Sequence, residues 1–276
     1  MSIKYAYLGP AGTFTEAALQ KIATASDQLI AFANVTAALD AVRNGQCQKA
    51  LVPIENSVEG VVARTLDELA IGKPLVITAE TTLPVTFSLM TLSNTNAAEI
   101  KSIATHPHAE SQCRSFIAKN YPNAQVIESS STAAAAKGLS KGDYDAAIAG
   151  SNAAKKYNLK VIAQNIGDNT GAVTRFVLVE NRGNQPKATG KDRTSLVVFI
   201  ALDHAGALLE ILNEFAKHQV NLTFIQSRPT GSQLGHYHFI IDAEGHIEDK
   251  PISAALAGLK EICEDVRFLG SYPQAK

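Results

Sequence analysis

"IKYAYLGPAGTFTEAALQKIA" (Ile3–Ala23) reads as a short strand, a tight turn and a helix. Gly9, Pro10 and Gly12 break the extended run, and Thr13 or Thr15 stands where a hydroxyl can cap the helix that follows. The same unit recurs as "LIAFA" then "VTAALDAVRNG", and as "KALVPI" then "GVVARTLDELAIG". Strands alternating with helical segments make an open α/β sheet. "PLVITAETTLPVTFSLMTL" (Pro74–Leu92) then gives two extended runs around Pro84. The alternation resumes in "SIATH", "AESQCRSFIAKN", "AQVIES", "TAAAAKGL" and "DAAIAG", which predicts a second α/β lobe with a cleft between the two.

"NRGNQPKATGKDR" (Asn181–Arg193) has no apolar periodicity and is rich in Gly, Pro, Asn and charge, so it reads as a linker. The expected boundaries are a first domain over 1–182, with lobe one about 1–77 and 165–182 and lobe two about 78–164, a linker over 183–193, and a second domain over 194–276. Beyond the linker, "SLVVFIAL", "GALLEILNEFAKH", "VNLTFIQSRP", "GHYHFIID", "ISAALAGLKEIC" and "VRFLGSYP" follow the order βαββαβ, a ferredoxin-like fold.

The bulk composition narrows the function. A chain of 276 residues, 46% hydrophobic and 18% charged, has room for about two well-packed domains. With a formal net charge of -1 and no lysine or arginine block, neither a nucleic acid nor an anionic membrane is the expected partner. Three cysteines, Cys47, Cys113 and Cys263, lack C-x-x-C spacing and fit a reducing cytoplasm. The opening residues do not read as a signal peptide, and no apolar run approaches a membrane span.

Polar groups recur where open α/β sheets place their ligands, at the ends of strands. "VPIENSVEG" sets Glu55, Asn56 and Ser57 after a buried strand; they can line a cleft, or Asn56 or Ser57 can cap a helix starting near Val58. The turn before Thr13 can hold an anion on free N–H groups or be a simple capped turn. It carries neither G-x-G-x-x-G nor G-K-[ST], so the nucleotide readings fail. In "ATHPHAESQC", Thr105 and His106 end a strand and Gln112 lies on the next helix; His106 and His108 lack partners at metal-binding spacing, so no metal site is expected. In "GAVTRFVLV" (Gly171–Val179), Arg175 heads an apolar strand and must reach water or a counter-anion. Thr174 precedes it, so both serve one site only where the strand frays.

Taken in order, "GPAGTFTEAA", "VPIENSVEG", "THPHAESQC", "STAAAA", "AAIAGSNAAKKYNL" and "TRFVLV" resemble the prephenate dehydratase family. "LDHAGALLEILNEFAKHQVNLTFIQSRPTG" is similar to the ACT regulatory domain attached to that enzyme. The resemblance implies a two-lobed, periplasmic-binding-protein-like catalytic domain. It implies conversion of prephenate to phenylpyruvate, water and carbon dioxide without cofactor or metal, in phenylalanine biosynthesis. It further implies L-phenylalanine as allosteric effector and a cytoplasmic homodimer or homotetramer. Thr174 maps to the main catalytic residue, joined by Asn56, Gln112 and Glu55; Arg175, Thr105, Ser57, Thr13 and Phe176 map to substrate binding. Gly206, Ala207, Leu208, Leu209, Gln226, Ser227, Arg228 and Pro229 map to the effector site.

The chain departs from the family pattern at Ala172, where an asparagine is usual although Asn169 lies near, and at Ala205 and Gln226 in the regulatory signatures. Arogenate dehydratase shares these motifs, and a non-catalytic two-lobed sensor of small anions shares the architecture. Prephenate must lose a ring carboxylate and the opposite hydroxyl. Hydroxide leaves poorly, so a donor has to assist it, and Thr174 is the candidate.

Overall fold

The computed structural model describes residues 2–183, 185–200, 204–230 and 237–275. Leu202, Asp203 and Gly231 of the ACT-like stretch lie outside these. Two compact units emerge, one of Met1–Ala38, Leu51–Val61 and Thr82–Phe176, the other of Leu39–Ala50, Val62–Thr81 and Val177–Lys276.

The chain opens with strands β1 (Lys4–Leu8), β2 (Gln28–Phe32), β3 (Lys49–Asn56), β4 (Gly60–Val61) and β5 (Leu75–Pro84), interleaved with helices α1 (Phe14–Leu19), α2 (Val35–Arg43) and α3 (Ala63–Ile71). A second sheet follows, from β6 (Ser88–Thr91), β7 (Ser102–Thr105), β8 (Gln125–Glu128), β9 (Ala146–Ala149) and β10 (Lys160–Ala163), in the order β10-β6-β9-β7-β8. Its helices are α4 (Pro107–Gln112), α5 (Arg114–Asn120), α6 (Thr132–Gly138) and α7 (Ser151–Tyr157). The chain then returns as β11 (Val173–Asn181), which completes the first sheet in the order β2-β1-β3-β11-β5, with β4 paired to β3. Two sheets within residues 4–181 make the two-lobed α/β architecture, and β5 stays in the first sheet up to Pro84.

The remaining elements are β12 (Asp192–Phe199), α8 (Ala207–Lys217), β13 (Leu222–Pro229), β14 (Tyr237–Glu244), α9 (Lys250–Ile262) and β15 (Asp265–Pro273). Their sheet runs β13-β14-β12-β15, the ferredoxin-like βαββαβ arrangement. Leu196, Val198, Phe239 and Ile241 on one face of this sheet pack with Ile211 and Phe215 of α8 and with Ile252, Leu256 and Leu259 of α9. The apolar residues recur every second position in the strands and every third or fourth in the helices, so each element buries a single face.

Two local expectations give way. No helix starts near Val58: Asn56 Oδ1 accepts from the Val58 and Glu59 N–H groups at 2.8 and 2.9 Å, closing a turn between β3 and β4, and α3 starts at Ala63. The single helix expected over 109–120 breaks at Cys113. The Gln112 carbonyl accepts from Asp168 N at 2.6 Å, and the Asp168 carboxylate accepts from Ser115 N at 3.2 Å, so a distant loop takes groups the helix would have used.

Candidate active site

The end of β3 and the start of β11 come together as two cross-strand pairs. Asn56 Nδ2 donates to Thr174 Oγ1 at 2.8 Å, and Arg175 Nε lies 3.4 Å from Glu55 Oε2. Ser57 clamps the junction, its N–H donating to Val173 O and its Oγ accepting from Val173 N, both at 2.9 Å. The orientation of the Asn56 amide is not free, because its oxygen is spent on Val58 and Glu59, so the NH₂ must face Thr174. The Thr174 oxygen is therefore the acceptor of that pair, and its own proton is given elsewhere. Thr174 is 8% exposed and Arg175 7%. The counter-anion that Arg175 requires is Glu55. Phe176 is 1% exposed, and its ring belongs to the core rather than to a ligand-facing surface.

The second lobe meets this turn through Glu59. Gln112 Nε2 donates to Glu59 Oε1 at 2.7 Å, and His108 Nδ1 lies 3.7 Å from Glu59 Oε2. Thr105 is buried and gives its hydroxyl proton to Ile148 O at 2.8 Å, which ties β7 to β9. His106 caps α4, its Nδ1 accepting from His108 N at 3.3 Å, and its ring meets His108 edge-on. Burial and the neighbouring His108 push the His106 pKa below its ordinary value. Among the described residues no group of three His, Cys, Asp or Glu side chains is placed to hold a metal ion.

The Gly9–Thr13 turn differs from an open anion cradle. Gly12 N donates to Glu16 Oε2 at 2.5 Å, so the anion at this turn is the chain's own carboxylate. Thr13 caps α1, accepting from Glu16 N and donating to Leu8 O at 3.1 Å, which commits it to structure. Gly12 has φ +88°, and a Cβ there would lie 3.0 Å from the Tyr157 ring. Asn152 Nδ2 donates to the carbonyls of Gly12 and Thr13, and Tyr157 donates to Ala11 O, so α7 of lobe two holds the turn in place. Burial, followed by the Glu16 carboxylate, raises the Tyr7 phenol well above its usual range. Cys113 packs in the core, and burial pushes its thiol up to about 12.

In the C-terminal domain Gly206 adopts φ +98° at the start of α8, a conformation glycine accepts without strain. Ala207 is buried, whereas Leu208 and Leu209 are exposed. A cavity of about 150 Å³ lies beside them, lined by Ile200, His204, Ala207, Glu210, Ile211 and Cys263. On β13, Gln226 Nε2 bonds the Ser227 carbonyl at 2.9 Å, and Pro229 ends the strand. Arg228 makes a forked pair with Asp67 of α3, Nε to Oδ1 at 2.8 Å and Nη2 to Oδ2 at 2.7 Å. Sequence reasoning missed Glu59, Asp67 and Glu16. Glu59 carried a signal, since it lies three residues after Asn56 in the quoted motif, whereas nothing local marks Asp67 as the partner of a residue on β13.

Comparison with known proteins identifies the family. Residues 5–184 match the family described as prephenate dehydratase, and residues 194–261 match the ACT domain. The prephenate dehydratase of Amycolatopsis methanolica is 45% identical over 273 residues, covering 99% of this chain and 89% of that protein. The crystal structure of prephenate dehydratase from Arthrobacter aurescens in complex with L-Phe superposes with a TM-score of 0.94 at 49% identity, over 99% of this chain and 90% of that one. GqqA, described as a novel type of quorum quenching acylase, has a TM-score of 0.86 at 26% identity, over 98% and 97% of the two chains. With a family match over residues 5–184 and 45% identity across nearly its whole length to a prephenate dehydratase, this chain belongs to the prephenate dehydratase family.

Proposed function

We propose that the chain converts prephenate to phenylpyruvate, carbon dioxide and water at the β3–β11 junction, under feedback control by L-phenylalanine bound to the ACT domain. The observation that carries this reading is the Asn56–Thr174 hydrogen bond, because it leaves the Thr174 O–H as a donor in a buried setting. In the reaction the ring C–CO₂⁻ bond breaks and its electron pair enters the ring. The opposite C–O bond breaks as aromaticity is gained, and the departing hydroxide takes a proton to leave as water. A threonine hydroxyl is too weak an acid to give up its proton outright, so Thr174 donates a hydrogen bond to the leaving oxygen while solvent supplies the proton that completes the water. A donor fixed in advance costs no reorganisation at the moment of bond breaking.

Arg175 is the proposed anchor for a substrate carboxylate, exchanging or sharing its Glu55 partner for the ligand's forked oxygens. Arg175→Ala is expected to raise KM for prephenate at least about tenfold with a smaller loss of kcat, since a ground-state anchor acts mainly on binding. A KM within twofold of the parent in steady-state assays would remove that role. Gln112 orients the ring, and Thr105 offers only lone pairs, its proton being committed.

Residues 194–276 act as the regulatory domain, joined through 183–193 to the catalytic residues 1–182. The cavity beside Gly206 and Ala207 and the exposed Leu208 and Leu209 support effector binding next to a second copy of the domain. Control then requires that L-phenylalanine bind two states of the enzyme unequally. Among the described residues no helix is long and apolar enough to cross a membrane, and we place the enzyme in the cytoplasm as a homo-oligomer.

The deciding experiment offers purified protein prephenate and arogenate separately and follows each product, with and without L-phenylalanine. Turnover of prephenate, slowed by L-phenylalanine, is the expected result. Preferential turnover of arogenate would make the chain an arogenate dehydratase, and saturable binding without product would make it a sensor.

A further inference from the structure

Glu59 has no part in the reaction as described, yet it is a side chain on which the two lobes meet. Its backbone N–H is held by Asn56 Oδ1 at 2.9 Å, so the turn that orients the Thr174 partner also aims Glu59. Its Oε1 accepts from Gln112 Nε2 at 2.7 Å, and its Oε2 lies 3.7 Å from His108 Nδ1. Gln112 is buried, and its backbone carbonyl is fixed separately by Asp168 N at 2.6 Å. The side-chain amide is thus the one part of Gln112 that can still turn over, exchanging oxygen for nitrogen toward the substrate. An ionised carboxylate can only accept hydrogen bonds, so Glu59 can face only the amide NH₂.

We propose that Glu59 is a positioning residue that fixes which way the Gln112 amide points. Glu59 takes one N–H and so turns Gln112 Oε1 and the second N–H toward the substrate, Oε1 as acceptor for the ring hydroxyl. The inference rests on the prephenate reading above and deepens it. Glu59 touches no reacting atom; it acts through Gln112, and the chain Thr174–Asn56–Glu59–Gln112 carries one geometry from the donor hydroxyl to the opposite lobe.

A double-mutant cycle in the full-length chain tests this, with prephenate as substrate and kcat and KM determined for Glu59→Ala, Gln112→Ala and the pair. Glu59→Ala is expected to lower kcat about 10- to 100-fold, the scale of a misplaced orienting group, with KM changed less than about threefold. In the Gln112→Ala background the same substitution should cost less than about twofold more. Glu59→Gln retains an acceptor oxygen but can also present its own NH₂, so its kcat should fall between those of the parent and Glu59→Ala. If Glu59→Ala does not fold, as judged by circular dichroism and thermal melting, the cycle is run with Glu59→Gln. A parental kcat for the variant, or an equal cost with and without Gln112, overturns the proposal and leaves the prephenate reading standing. Parental protein that fails to turn over prephenate overturns both.

Discussion

Thr174→Ala lowers kcat for prephenate by about 10²–10⁴-fold, the range that general acid assistance contributes, and lowers kcat/KM by a similar factor. The equal loss in both constants follows from the role: a hydrogen bond to departing hydroxide strengthens only as charge develops on that oxygen, so it contributes little to binding the intact substrate. Removing the hydroxyl also leaves Asn56 Nδ2 without its acceptor, which destabilises the fold by about 1–3 kcal/mol. Thr174→Ser separates the two effects, because it restores an acceptor for Asn56 and a proton for the leaving group, and it should recover most of the rate. Steady-state kinetics beside thermal melts measure both. A folded Thr174→Ala protein with kcat within threefold of the parent would remove the hydroxyl from the mechanism.

The second large effect is expected far from the chemistry, at Gly270 of β15. Its φ is +143°, where L side chains are rarely found, and a Cβ there would stand 2.1 Å from the Ile77 carbonyl oxygen and 3.1 Å from the Ile77 N and C atoms. β15 bulges at this place, its register against β12 shifting between Ser195 and Leu196. Backbone lies on backbone, and neither partner has a flexible end to withdraw. Gly270→Ala therefore combines an unfavourable φ with overpacking and should cost at least about 3 kcal/mol. Urea denaturation of parent and variant checks this, and a loss below 1 kcal/mol would show that β15 and β5 can separate cheaply. The contact belongs to a wider seam in which α3 and β5 meet the C-terminal sheet. Arg228 pairs with Asp67, Arg193 Nη1 lies 3.3 Å from Glu80 Oε2, and Arg267 Nη1 donates to Gly72 O at 2.9 Å. This seam explains why 39–50 and 62–81 cluster with 177–276, although the composition of the chain marks its strongest break at 181–193.

Much of the fold was legible because it is written in local periodicity. The βαββαβ order beyond the linker followed from strands of period two and helices with one apolar face, patterns each element carries within itself. A helix start was also readable at the Thr13 turn, since a capping hydroxyl acts on an N–H group only two or three residues away. Where a distant segment competed, local reading failed: Asp168 interrupts the helix at Cys113. At the Gly12 turn the sequence left two readings open, and the structure shows the capped turn, with Glu16 four residues on taking the Gly12 N–H.

The site divides in the same way. Residue identity and order alone singled out Asn56, Gln112, Thr174 and Arg175 and tied them to one family. The fold determined what those side chains are able to do. The acceptor state of Thr174, the Glu55 partner of Arg175, the committed proton of Thr105, and the Glu59–Gln112 bridge all join residues between strands or lobes. A hydrogen bond has direction, and direction is set by the positions of both partners. A chain written in one dimension names the donors and acceptors, but only packing in three dimensions decides which of them meet.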